Sequence, residues 1–126
     1  AAGGLGGALL GFLNAELRSG IDLVIKYTNL EEKIKACDYI FTGEGSIDGQ
    51  TILGKTPVGV SKLGKKYNIP VIAFAGKVEP KSSNLYSEGI KSICSIMRGV
   101  ENLDDALKNG ASNLERTVEN VVRIIR

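Results

Sequence analysis

Short β-branched runs and stretches of helical apolar spacing take turns along these 126 residues, and that alternation leaves few folds open. The run "IPVIAFAG", residues 69–76, is the strongest strand signal, with Pro70 near its start where the ladder can spare an N–H. "IDLVIKY" at 21–27, "DYIFTG" at 38–43 and "IKSICSIM" at 90–97 read as three more strands. Helical spacing fills the intervals. Leu5, Leu9, Phe12, Leu13 and Leu17 form one apolar stripe that Ser19 and Gly20 end, and a short helix fits 30–36 after Asn29 as a cap. Val58, Val60, Leu63 and Tyr67 follow Pro57 at a first-turn position. From Leu103, a long terminal helix carries Leu107, Leu114, Val118, Val121, Val122 and Ile125 on one side, with a bend expected at Gly110. Strands alternating with helices at this spacing imply βα units: an α/β fold with a mostly parallel sheet and helices on both faces, a Rossmann-like three-layer domain over residues 1–126.

Composition narrows function by exclusion. Hydrophobic residues make up 43% and charged residues 24%, which suits one globular core. A net charge of +2, spread along the chain, provides no basic stripe, so no nucleic-acid partner is expected. The sequence has no histidine. That excludes Ser/His and Cys/His nucleophile systems and His-ligated zinc, and leaves Asp, Glu, Lys or Tyr as any base. Cys37 and Cys94, far apart and without metal-ligand spacing, read as buried, unbridged thiols of a reducing compartment. No apolar run approaches the ~20 residues of a membrane span, so a soluble cytoplasmic protein without a membrane partner is expected. The opening "AAGGLGGALLG" lacks Met and enters a helix with no strand before it, which suggests a fragment of a longer protein.

In open α/β sheets, ligands bind beyond the carboxyl ends of the strands. That rule selects "TGEGSIDGQT", "AGKVEP", "MRGVEN" and the opening glycine-rich segment. The first is the richest chemically. Gly43, Gly45 and Gly49 can take left-handed turns and let a ligand approach the backbone, while Glu44 and Asp48, flanked by Thr42, Ser46 and Thr51, offer hard oxygens suited to Mg²⁺. A carboxylate can also accept the proton of a substrate hydroxyl. The plainer reading is a loop containing an ordinary D-G tight turn. It is not a phosphate loop of the GxxxxGK[ST] kind, and "GGLGGALLG" is a weak dinucleotide fingerprint. Lys55 reads equally as a phosphate contact and as a solvated loop lysine; Lys77 reads as surface, and Lys62, Lys65 and Lys66 as a solvated helix face.

"AAGGLGGALLGFL", "SGIDLV", "CDYIFTGEGSIDGQT", "GKTPVGVSKLGKKYNIPVIAFAG" and the terminal helix together resemble the carboxy-terminal part of the glycerate kinase family. The resemblance runs over essentially the whole chain, and the pair "TGEGSIDGQT" and "GKTPVGV" is fairly specific; family members often carry a basic residue where Ser46 stands. It implies phosphoryl transfer from ATP to D-glycerate, with Mg²⁺ as cofactor and 2-phosphoglycerate as the favoured product. It also implies a protein of two domains with the active site in the cleft between them, so that the amino-terminal remainder of the same protein is a partner. By this resemblance, Glu44 and Asp48 are the acidic pair for metal binding or hydroxyl activation. Thr42, Gly43, Gly45 and Gln50 shape the loop, Lys55 neutralises phosphate, and Gly3, Gly4 and Gly6 bring the first helix's amino end to an anion. The alternative is a non-catalytic α/β domain that holds a small acid or phosphate in the same loops.

Overall fold

A computed structural model describes residues 2–16, 18–48 and 55–126. Leu17, Gly49, Gln50 and Thr51, named above, lie outside the described residues. Strands β1 (Ile40–Ile47), β2 (Val71–Val78) and β3 (Ile90–Ser95) form one parallel sheet in the order β1-β2-β3. The helices are α1 (Leu5–Leu13), α2 (Gly20–Tyr27), α3 (Leu30–Ile34), α4 (Thr56–Tyr67) and α5 (Leu103–Ile125), and a 3₁₀ segment, Pro80–Tyr86, leads toward β3.

The continuous apolar run of β2 exists because both of its faces are covered. Val71 packs with Val60 of α4 and with Ile34 and Ile40, while Ala73 and Ala75 join Val58, Ile47, Leu85 and Ile90. Phe74, out of phase with Ala73 along the strand, looks the other way, where it lines a groove with Leu114 and Val118 of α5 and meets Phe41 edge to face at 5.4 Å. The α/β expectation therefore holds, with α4 on one side of the sheet and α5 on the other. On α4, Gly64 is what lets the helix sit down: a Cβ there would come within 2.3 Å of Val71 Cγ2 and 2.8 Å of the Ile69 carbonyl oxygen. Asn102 caps α5, its Oδ1 accepting from the Asp105 N–H at 2.9 Å, and the helix runs through Gly110 without a break.

Four local expectations need correction. "IDLVIKY" is helix α2 rather than a strand: Asp22 in its first turn and Lys26 in its last complement the helix dipole, and Ile21 fills the notch that Gly59 leaves on α4. The first helix ends early, at Asn14 in a left-handed conformation (φ 48°). The acidic loop is mostly strand, since β1 continues through Gly43, Glu44, Gly45 and Ser46 to Ile47, paired with β2. Neither Gly43 nor Gly45 takes a left-handed turn; Gly43 uses its small size, since a Cβ there would lie 3.2 Å from the Phe74 carbonyl oxygen, while a Cβ on Gly45 would meet open space. Finally, the thiols are not buried. Cys37 is exposed just beyond α3, its Sγ donating to the Lys33 carbonyl at 3.4 Å, and Cys94 is half-buried; both are unbridged. No helix among the described residues is long and apolar enough to cross a membrane.

Candidate functional site

Parallel pairing brings all three strands to end on one edge of the sheet, and the chemistry gathers there. Asp48 follows the last residue of β1, and Lys55 is the extended residue that enters α4 (φ −69°, ψ 164°). Lys55 Nζ lies 3.5 Å from Asp48 Oδ2, so the two ends of segment 49–54 are joined by charge. Asp48 keeps 27% of its side chain exposed and Lys55 39%, enough for a ligand to compete for either. On β2, Lys77 Nζ donates to Glu79 Oε1 at 2.9 Å. The Glu79 hydrogen bond and charge raise the Lys77 pKa, and the Asp48 charge adds to the effect, which puts the ends of β1 and β2 in one electrostatic neighbourhood.

Glu44 stands inside β1, opposite Ala75, and is half-buried. It lines two clefts between the sheet and α5. One, of about 440 Å³, is walled by Phe41, Phe74, Leu114 and Val118. The other, of about 500 Å³, shares Gly76 with the first and adds Gly45, Lys77, Met97 and Glu101. Its floor is glycine for a steric reason: a Cβ on Gly76 would lie 2.9 Å from the Gly45 carbonyl oxygen. Asp48 lies four residue steps beyond Glu44, about 13 Å at the usual rise of a strand, so the carboxylates address different parts of the edge.

The structure thus brings Asp48 and Lys55 together and sets Glu44, Gly43, Gly45 and half-buried Thr42 in the adjoining strand. It does not bring in the opening glycines. Gly3 and Gly4 take left-handed conformations in a 3₁₀ turn, Ala2–Gly4, with open space where a Cβ would be, and Gly6 lies in the first turn of α1. Neither cleft lined by Glu44 contains a residue of 2–13. Gln50 lies outside the described residues. Lys77, read from the sequence as surface, is exposed as expected; Glu79 was not singled out, and the signal for it was its place in "AGKVEP" directly after the strongest strand. Among the described residues no group of three or more Asp, Glu or Cys is arranged to hold a metal. The donors present fit a divalent ion only where phosphate oxygens complete its shell, which is how Mg²⁺ is commonly bound. Two lysines and three carboxylates along one edge suit a phosphate and a cation arriving together.

Comparison with known proteins completes the picture. The model of the glycerate kinase family matches residues 1–126. A glycerate kinase of Bacillus subtilis is 43% identical over 126 residues, covering 100% of this chain and 33% of the relative. A glycerate 2-kinase of Escherichia coli is 43% identical over 121 residues, 96% of this chain and 32% of the relative. A crystal structure of a Salmonella typhimurium LT2 protein described as a glycerate kinase 2 superposes with a TM-score of 0.74 at 42% identity, covering 99% of this chain and 32% of that one. The chain spans about a third of the length of the curated relatives it matches.

Proposed function

Because the chain belongs to the glycerate kinase family, we propose that it forms the carboxy-terminal portion of a two-domain, cytoplasmic enzyme that transfers the γ-phosphate of ATP to a hydroxyl of D-glycerate. The observation that carries this reading is the Asp48–Lys55 pair at the carboxyl end of β1, an acid and a base held 3.5 Å apart at the mouth of the edge. Asp48 is the better placed to accept the proton of the attacking hydroxyl, because it lies beyond the strand beside the entry to α4. Lys55 leaves Asp48 for the incoming phosphate and offsets its charge. Glu44 and Asp48 stand too far apart along the strand to chelate one ion as a pair, so each would present oxygens separately to Mg²⁺ brought in with the phosphates, where the ion would screen the phosphate charges during transfer. Thr42, Gly43, Gly45 and Gln50 shape the strand end and loop. Gly3, Gly4 and Gly6 would reach an anion only in an arrangement completed by the amino-terminal remainder, which supplies the other wall and the nucleotide contacts. Phosphorylation at the 2-hydroxyl, to 2-phosphoglycerate, is the favoured outcome, in line with the name carried by the E. coli relative.

The test is glycerate-dependent ADP formation at saturating MgATP by the longer protein that contains this chain. Asp48→Asn keeps volume and hydrogen-bonding capacity and removes the base, so turnover should fall by roughly 10²- to 10⁴-fold. Stability should change by less than about 1 kcal/mol, since the Lys55 pair is partly exposed. Glu44→Gln should act similarly, with a steeper dependence on Mg²⁺. The 126-residue chain alone should turn over nothing measurable, since half a cleft cannot align two substrates. Wild-type rates for both variants would remove the carboxylates from the reaction. A phosphate- or acid-binding domain without catalysis would show no ADP formation in any arm.

A further inference from the structure

We propose that Lys77 is a second basic contact for the anionic group at this edge, reaching over the end of β1 from the neighbouring strand; the inference rests on the phosphoryl-transfer reading above. Ser46 and Lys77 are partners in the parallel register of β1 and β2, on strands that lie about 4.8 Å apart. Partners in register share a face of the sheet, and the short Ser46 side chain leaves the ground beside it to the long lysine. Glu79 stands two residues further along the chain, just past the carboxyl end of β2, and draws Lys77 Nζ that way through its 2.9 Å hydrogen bond. The ammonium is 70% exposed on its side chain, so it is tethered without being sequestered. It borders the cleft lined by Gly45, where nothing lies within 4 Å of the position a Cβ would take and a ligand can approach the backbone, and it stands there as the cation beside the carboxylates of Glu44 and Glu101. Asp48 acts on Lys77 electrostatically and contacts Lys55 directly, so the two lysines flank the proposed base from separate elements. A surface ion pair with no ligand role would need none of this placement.

The register supplies the test, because the same charge can be carried by either strand. The isotope-labelled 126-residue chain is titrated with inorganic pyrophosphate at low ionic strength, following the amide signals of Gly45, Gly76 and Lys77. The expected result is saturable shifts in the wild type, affinity lowered about three- to tenfold by Lys77→Ser, and most of it regained in the double variant Ser46→Arg/Lys77→Ser. Lys91→Ser, exposed on β3, should bind as the wild type does. Unchanged affinity in Lys77→Ser, no recovery in a double variant whose spectrum remains dispersed, or no saturable shift in the wild type would each overturn the proposal. The two readings fail separately: if the charge-swap pattern appears while the longer protein forms no ADP with glycerate, the kinase reading falls and the role of Lys77 stands.

Discussion

Helices α1 and α4 both carry glycines among aliphatic residues, yet they meet opposite fates. In α4, Pro57, Val58, Val60, Ser61 and Gly64 are buried, and Lys62, Lys65 and Lys66 are exposed. In α1, "LGGALLGFL", no residue is buried: Phe12 is 87% exposed, Leu13 71% and Leu5 58%. The more apolar helix is the more exposed. The hydrophobic effect rewards area removed from water, and that area is set by the partner as much as by the helix. α4 finds β1 and β2. A helix that is apolar on every side is a core helix by composition, and among the described residues no core surrounds α1.

The sharpest way to break the contrast is to add the same methyl group to each helix. In α4, Gly64→Ala should cost about 2–3 kcal/mol in urea unfolding, because the new Cβ collides with Val71 and with a backbone oxygen that cannot step aside. In α1, where nothing lies within 4 Å of a Cβ at Gly11, Gly11→Ala should stabilise by up to about 1 kcal/mol through helix propensity alone. A loss at Gly11 in the isolated chain would mean that α1 is packed after all. Phe12→Ser comes next: its effect on unfolding should stay within about 0.5 kcal/mol, while self-association of the chain, read by sedimentation at rising concentration, should drop.

The smallest effect concerns how α4 is held at its polar side. Glu31 of α3 accepts from Lys66 Nζ at 2.5 Å and from Tyr67 Oη at 2.6 Å. The Lys66 hydrogen bond first, then that of Tyr67, holds the Glu31 carboxyl below the usual range. A carboxylate with a depressed folded pKa stabilises at pH above its unfolded value and loses that contribution as pH falls through the folded one. Stability measured from neutrality down through about pH 5 and below should therefore decline less steeply in Glu31→Gln than in the wild type. Parallel curves would show the bridge to be idle.

Legibility followed the source of the information. β2, α4 and α5 could be read directly because each is a long, consistent pattern that decides its own structure. "IDLVIKY" could not, since seven residues rich in Ile, Leu and Val satisfy either period; its contact with Gly59 settled the matter. The second half of β1 was hidden by its glycines and acids, which argue locally for a loop, while β2 supplies the ladder that makes it a strand. At the site, Asp48 and Lys55 were each named from the sequence, but not as a pair; their contact at 3.5 Å comes from the way β1 and α4 meet. The Ser46–Lys77 pairing was not legible either, because register between strands distant in sequence is fixed by tertiary packing.

The strand order has a consequence in time. β2 has a neighbour on each side, so its amides can be engaged in both directions, whereas β1 has β2 on one side and no described strand on the other. Local openings that release β1 cost less than those that release β2, and in hydrogen exchange the amides of 71–75 should outlast those of 42–46. The strand that bears Glu44 and leads to Asp48 therefore sits on the fast-breathing margin of the sheet, able to shift by small amounts while the slow centre keeps the fold.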